Sequence, residues 1–239
     1  MESNTRNRDF TLHIGYPRTG TTFVQKDILP NLDSVQALAK PHRNLLEDDS
    51  SLGTFGRLFQ CSPRIWEAYG EQLFSSLFGS PDEQEDATGV LVSDESVGIT
   101  LARDCSYAGS VALGGGSKTS SSGAESAHVH LPHLCELSLL ARQWQFTRVR
   151  SIVVVRRQDT WVPSAYVQES NHRENPCQMD FQEHVSALLD PHRRLYEDGI
   201  VLDYHAVSRG LMDALGEENV LILPYEMMKE DPSNFFGNW

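Results

Sequence analysis

"FTLHIGYPRTGTTFVQKDIL", residues 10–29, combines a short apolar run, a turn that contains two glycines and the start of a helix. Residues 10–14 have the composition of a strand, and apolar residues at helical spacing follow from about Thr21 until Pro30 ends the helix. A strand that leads through a glycine turn into a helix N-terminus is the context in which backbone N–H groups bind phosphate. The stretch therefore predicts an anion-binding loop at the end of a strand.

The turn itself nearly matches the phosphate-binding motif G-x-x-x-x-G-K-[ST]. Gly15 and Gly20 have the correct spacing, but Thr21 stands in the place of the lysine, and a cation occurs three residues earlier as Arg18. Three explanations are open at this point: a nucleotide loop that has lost its lysine, a chance match, or a loop for a different ligand.

Runs that are typical of strands alternate with runs of helical spacing along the rest of the chain. The run 149–156 is rich in Val and Ile without polar alternation, as in strands that are buried on both faces of a parallel sheet. We therefore predict a single α/β domain over residues 1–239, a three-layer α/β/α sandwich with a central parallel sheet, similar to P-loop NTPases. Further strands are predicted at 34–40 and 219–226, and the stretch 89–98 is predicted to open as a buried strand and turn polar at its carboxyl end. Helices are predicted at 64–79, 131–146, 159–170, 181–190 and 204–216.

Residues 109–130 are rich in Gly and Ser and have no periodicity. This composition predicts a flexible loop, which is either a lid over a site or an idle insertion. His128, His130 and His133 lie beside the loop, but no Cys or carboxylate accompanies them at ligand spacing. We expect lid residues here and no metal.

The composition narrows the class of protein. The net charge of −13 disfavours a nucleic-acid partner, because phosphate backbones favour positively charged proteins. The polar start shows no signal peptide, and no apolar run is long enough to span a membrane, so a cytoplasmic protein is expected. The four cysteines are far apart, which predicts reduced thiols and neither a zinc site nor a disulfide framework.

Two further segments follow the loop in order. In VVVRRQDTWVPSAY, Arg156 ends a strand and Ser164 comes eight residues later; ILPYEMMKEDP occupies residues 222–232. Together with GYPRTGTTF, these segments resemble the sulfotransferase family, which uses the sulfuryl donor PAPS (3'-phosphoadenosine 5'-phosphosulfate). The family's loop typically reads Y-P-K-[ST]-G-T-T, its second segment has Arg, seven residues and Ser, and its third leads into Tyr-Glu-x-x-x-x-(D)-P. The resemblance extends over residues 10–235.

The resemblance implies a donor site that binds PAPS and releases PAP, without a metal. Arg18 stands where the family has its loop cation, and it would stabilise charge on the departing 5'-phosphate and the sulfuryl oxygens. Thr21 and Thr22 would donate hydrogen bonds to the 5'-phosphate. Phe23 either contacts adenine or is a core aromatic residue. The implied donor-binding residues are Tyr16, Pro17, Arg18, Thr19, Gly20, Thr21, Thr22 and Phe23, with Arg156 and Ser164 as the 3'-phosphate site.

Transfer also needs a general base that takes the proton of the acceptor. Cytosolic family members place a His after the strand that precedes the 3'-phosphate segment, and Glu95 matches that position best. Glycan-modifying members use a Glu soon after the first loop, where this chain offers His42. Arg18, Glu95 and His42 are therefore the catalytic candidates, with Glu95 ahead of His42 as the base.

The expected activity is in-line transfer of a sulfuryl group from PAPS to a hydroxyl or amine of a small-molecule, glycan or lipid acceptor. A P-loop kinase is one alternative, although the missing lysine and the lack of a clear Walker B aspartate count against it. A non-catalytic nucleotide-binding module of the same fold is the other.

Overall fold

A five-stranded parallel sheet lies at the centre of the molecule, with the strand order β2-β3-β1-β4-β5. The structure, a computed structural model, describes residues 8–16, 18–32, 35–39, 58–59, 61–80, 89–94, 97, 131–189 and 204–237. The strands are β1 (Asp9–Gly15), β2 (Gln36–Ala39), β3 (Gly89–Ser93), β4 (Arg148–Val155) and β5 (Val220–Pro224). Because neighbouring strands are parallel, each connection has to cross from one end of the sheet to the other.

Helices follow the strands in sequence. Their bounds are α1 (Thr21–Phe23), α2 (Ile65–Phe78), α3 (Leu131–Gln143), α4 (Gln158–Glu169), α5 (Gln178–Leu188), α6 (Tyr204–Leu215), α7 (Met227–Glu230) and α8 (Pro232–Gly237). α1 continues into a π-helical stretch over Val24–Ile28 and a 3-10 turn over Leu29–Asn31. None of the described helices is long and apolar enough to cross a membrane.

Alternate residues of the strands enter two separate hydrophobic clusters. In β4, Val153 belongs to the first cluster and Val154 to the second. The first cluster also takes residues from α2, α3 and α6, whereas the second takes Val24, Leu29 and Phe235 from the helical segments after β1 and after β5. Helical layers therefore lie on both sides of the sheet, which confirms the predicted three-layer α/β/α sandwich with a central parallel sheet.

The amino end of β1 is fixed by a group of aromatic rings. The Phe10 ring lies 5.7 Å from the ring of Phe74, 6.1 Å from that of Phe78 and 5.6 Å from that of Phe146. Such pairs contribute about 0.5–1.5 kcal/mol each beyond the area that they bury. The strand that carries the glycine loop is thus anchored in the core.

The elements agree with the predicted ones to within a few residues, with one difference. The buried strand expected at the start of 89–98 ends at Ser93, and the chain turns at Asp94, whose carbonyl accepts a hydrogen bond from the Val97 N–H. Pro30, expected to end its helix, lies inside the 3-10 turn, near its start, where the missing N–H of proline costs no hydrogen bond. The Gly/Ser-rich loop predicted over 109–130 lies outside the described residues.

The carboxyl ends of the three strands β1, β4 and β5 meet at one edge of the sheet. Gly15 at the end of β1 pairs with Val154, and Val155 at the end of β4 pairs with Pro224. The segments that follow these strands are the three segments of the sequence motif. Ligands of open parallel sheets bind at this edge, so the fold brings the motif to the expected place.

Candidate active site

The loop after β1 is a tight turn held by its own side chains. The Thr19 N–H donates to the Tyr16 carbonyl at 3.2 Å, and the Thr19 hydroxyl donates to the same oxygen at 2.6 Å. Arg18 and Gly20 have φ angles of 67° and 78°, in the left-handed region. Gly20 adopts this conformation without strain, whereas Arg18 does so against its intrinsic preference.

Thr21, which replaces the motif lysine, faces into the turn. Its side chain is buried, and its hydroxyl lies 3.4 Å from that of Thr19. A Cβ on Gly15 would lie 2.1 Å from the Thr21 hydroxyl, so the two positions are fitted to each other. The position that would hold a Walker lysine therefore takes part in the packing of the loop.

The two following residues face outward. Thr22 is exposed, and Phe23 has 43% of its surface exposed. The alternative that Phe23 is a core aromatic residue is therefore wrong, and its contact with adenine stays a prediction. Gly20 provides no side-chain cap for the helix that begins here, and the first N–H groups of a helix have no partner within it. Such groups favour an anion.

Arg156 connects the second motif segment to the loop. Its guanidinium Nη1 donates to the Arg18 carbonyl at 3.0 Å, and its Nε donates to the Thr160 hydroxyl at 3.3 Å. The guanidinium carbon lies 5.0 Å from the centre of the Tyr225 ring, a cation–π geometry. The planar group is thus held in one orientation by three contacts. By contrast, the Arg18 side chain forms no hydrogen bond or ion pair with another described residue.

Tyr225, in the third motif segment, lies beside Gly20 of the loop and beside the Arg156 guanidinium. Its N–H donates to the Val155 carbonyl at 2.7 Å, which continues the pairing of β4 and β5. A Cβ on Gly20 would lie 3.1 Å from the Tyr225 ring, and Lys229 lies 5.5 Å from the ring centre. Tyr225 is part of the third motif segment, but its support of Arg156 depends on spatial position and has no signal in the sequence.

Arg157 and Ser164 are less closely attached to the loop. Arg157 is exposed and pairs with Asp159 at 2.7 Å, so its charge is already balanced. The Arg157 backbone N–H donates to the Glu226 carboxylate at 3.1 Å. Ser164 is half-buried in α4 and forms no side-chain hydrogen bond with another described residue, which leaves its hydroxyl able to bind a ligand.

Tyr204, at the start of α6, was not among the predicted residues. Its hydroxyl donates to the Arg156 carbonyl at 2.8 Å, and its ring lies 5.9 Å from the buried ring of Tyr16. Burial raises the pKa of Tyr204 to about 12, so the phenol remains a donor at all ordinary pH values. No sequence motif marks this residue, because its contacts are with distant segments.

A buried polar network lies beside the loop at the end of β3. His13 Nδ1 is 2.7 Å from the Ser93 hydroxyl, and the Gln25 amide donates to the Ser93 hydroxyl at 3.1 Å and to the Ser93 carbonyl at 3.2 Å. Burial lowers the pKa of His13 to about 3, so the imidazole is neutral. This network joins β1, β3 and the helical segment after the loop.

Asp94 directly follows β3 and is fully buried, with its N–H donating to the His13 carbonyl at 3.3 Å. The sequence offered no clear Walker B aspartate, but the structure places Asp94 at the end of β3, the strand that pairs with β1. The loop nevertheless has no lysine, so this acid alone does not complete a Walker site.

The predicted positions Glu95, His42 and Pro17 lie outside the described residues. His133, expected to be a lid residue, is instead a core residue. It is buried, accepts a hydrogen bond from the Trp66 indole at 2.9 Å and stacks on Phe59, and burial lowers its pKa to about 4. Among the described side chains, no group of three His, Cys, Asp or Glu residues could hold a metal ion.

Comparisons with known proteins agree with this geometry. A crystal structure of a sulfotransferase from Alicyclobacillus acidocaldarius has a TM-score of 0.50 to this chain and 14% sequence identity, over 98% of this chain and 78% of that one. At this identity the likeness shows a shared fold alone. No curated protein matches the chain. The family model of the sulfotransferase domain matches residues 8–235. Because this match covers nearly the whole sequence, the chain belongs to the sulfotransferase domain family, whose members transfer sulfuryl groups.

Proposed function

We propose that this protein transfers a sulfuryl group from PAPS to a hydroxyl or amine acceptor. The observation that carries the proposal is the 3.0 Å hydrogen bond from the Arg156 guanidinium to the Arg18 carbonyl. It joins the segment expected to bind a 3'-phosphate to the loop expected to bind a 5'-phosphosulfate. The two segments proposed to bind anions, which are far apart in sequence, thus lie side by side, and PAPS carries an anion at each end.

The residues present suit such a donor. The uncapped helix start after Gly20 offers N–H groups, and Arg18 offers an exposed guanidinium that has no ion-pair partner in the described part of the chain. Arg156 is oriented but has no ion-pair partner among the described residues, where its contacts are with neutral oxygens and a ring. PAPS would supply the activated sulfuryl group. Phe23 is sufficiently exposed to contact an adenine ring.

Catalysis would then depend on positioning and charge. Arg18 would stabilise the negative charge that develops on the leaving 5'-phosphate, a contribution that is commonly worth about 100-fold to 1000-fold in rate. Glu95 is proposed as the base that accepts the proton of the acceptor, with His42 as the second candidate. Small molecules, glycans and lipids are the proposed classes of acceptor.

Ligand-induced thermal stabilisation tests the donor. We expect PAP and PAPS to raise the unfolding temperature, because a ligand that binds only the folded state stabilises it. Mg-ATP should not do so. Stabilisation by Mg-ATP without any by PAP would contradict the proposal and favour the kinase alternative, for which Asp94 is the supporting observation.

Turnover tests the chemistry. With radiolabelled PAPS and a panel of alcohols, amines, glycans and lipids, we expect label in at least one acceptor and release of PAP. Glu95→Ala should abolish turnover and leave PAP binding intact, with His42→Ala as the matched comparison. PAP binding without any labelled acceptor would favour a non-catalytic module of the same fold.

A further inference from the structure

Four residues form a closed set of contacts around the loop. The Arg156 side chain binds the Arg18 carbonyl, and the Arg156 carbonyl accepts the Tyr204 hydroxyl at 2.8 Å. The Tyr204 ring lies 5.9 Å from that of Tyr16, which precedes Arg18 by two residues. The backbone between Tyr16 and Arg18 therefore closes the ring of contacts. We refer to these contacts as the Tyr204 bridge.

We propose that Tyr204 is a positioning residue that sets the spacing between the two anion-binding segments of the donor site. The inference rests on the proposed function, because it concerns a donor with anions at both ends. Tyr204 touches both segments without belonging to either: its hydroxyl holds the backbone of the Arg156 segment, and its ring packs on the loop side. A shift of Tyr204 would therefore move one segment relative to the other.

The burial of the bridge explains why it can fix a distance. Tyr16 is 1% exposed, and its ring also packs against the buried Trp161 at 6.4 Å, so the loop side of the bridge cannot move freely. On the other side, Arg156 is held at both its carbonyl and its guanidinium. Close-packed interiors transmit displacements instead of absorbing them.

The test compares ligands with one and two phosphates. We expect Tyr204→Phe, which keeps the ring and removes the hydroxyl, to weaken PAP binding about three- to tenfold, as measured by calorimetry. Its affinity for 5'-AMP and for 3'-AMP should change less than twofold, because each of these engages only one segment. Tyr204→Leu, which also removes the ring contact, should weaken PAP binding further, and the KM of the acceptor should stay unchanged.

Thr147→Val is the matched control. The Thr147 hydroxyl also donates to a backbone carbonyl, that of Arg8 at 3.0 Å, but it lies at the amino end of β4, away from the loop. The Thr147→Val variant should lower the unfolding temperature about as much as Tyr204→Phe and leave PAP affinity unchanged.

Two results would overturn the inference alone: wild-type affinity of Tyr204→Phe for PAP, or an equal loss for PAP and for both monophosphates. A wild-type protein that binds no PAP would overturn the proposed function, and the inference with it. Thermal unfolding of each variant, measured alongside, separates a loss of affinity from a loss of fold.

Discussion

At the scale of single residues, Arg18 combines an unfavourable backbone with an exposed charge. Arg18 and Gln145 are the described non-glycine residues with a positive φ angle, at 67° and 62°. Such a conformation costs an L-residue about 1–2 kcal/mol, and residues that keep it are often found at functional sites. A glycine at position 18 would relieve the strain but would remove the exposed charge.

Replacing Arg18 by glycine and by alanine separates strain from chemistry. We expect Arg18→Gly to raise the free energy of unfolding by about 1 kcal/mol, because glycine accepts the left-handed conformation, and Arg18→Ala to give no such gain. Both variants should lower sulfuryl transfer at least about 100-fold. Urea unfolding and kcat measure the two effects.

Gln145→Gly provides the control for this comparison. Gln145 has nearly the same φ angle and follows α3 at the opposite edge of the sheet. The variant should keep full activity. Full activity of Arg18→Gly would contradict the role of Arg18.

At the scale of elements, the helical segment after the loop is joined to the end of β3 by Gln25. Its amide donates to both the hydroxyl and the carbonyl of Ser93, which precedes the proposed base Glu95 by two residues. The irregular π-helical stretch that contains Gln25 is a type of distortion that recurs at functional sites. The segment thus connects the glycine loop to the part of the chain that precedes the proposed base.

We expect Gln25→Met to lower kcat severalfold and leave PAP affinity within twofold of wild type. The substitution removes two hydrogen bonds at the end of β3, at a cost of about 1–2 kcal/mol in stability, and it leaves the loop itself intact. Steady-state kinetics and PAP calorimetry measure the two quantities.

Asn31→Ala is the control for the helical segment. The Asn31 amide donates to the Asp27 carbonyl at 2.8 Å near the exposed end of the same segment, away from β3. The Asn31→Ala variant should leave both kcat and PAP affinity unchanged. A Gln25→Met variant with normal kcat would show that the network has no part in catalysis.

At this scale the sequence predicts regular elements well and their irregularities poorly. The Val and Ile run of β4 and the helical spacing of α2 follow from local composition, and both elements occur where they are predicted. The π-helical stretch after the loop has no local signal, because it depends on contacts such as that between Gln25 and Ser93.

At the scale of the whole molecule, the net charge and the charges beside the loop differ. The protein has a net charge of −13, whereas Arg18, Arg156 and Lys229 lie at one edge of the sheet, together with the carboxylate of Glu226. Such a local arrangement can attract an anionic donor even when the overall field is repulsive. The net charge disfavours a nucleic-acid partner, but it does not disfavour a phosphate-bearing small molecule that binds at this edge.

Two buried histidines make stability depend on pH. Burial lowers the pKa of His13 to about 3 and that of His133 to about 4 in the folded state, against 6.5 when exposed. The unfolded chain then binds more protons below pH 6.5, so stability falls as the pH falls. Each titrating histidine should lower the free energy of unfolding by about 1.4 kcal/mol for each unit by which the pH falls. Both histidines should contribute between about pH 6.5 and 4, and His13 alone between about pH 4 and 3.

Urea unfolding between pH 7 and pH 4.5 tests this expectation. His133→Gln, which keeps an acceptor near the Trp66 indole, should reduce the slope of stability against pH by about one proton relative to wild type. An unchanged slope would mean that His133 is charged in the folded protein or does not titrate in this range.

The sequence by itself determined the fold class and the motif segments, because strand and helix patterns and the spacing of Gly15, Gly20, Arg156 and Ser164 are local properties of the chain.

Only the tertiary structure decided how they meet. It placed Thr21 inside the loop and Phe23 outside it, it brought Tyr225 and Tyr204 to Arg156, and it buried His133 in the core. These outcomes depend on contacts between residues that are distant in sequence, and no local pattern specifies such contacts.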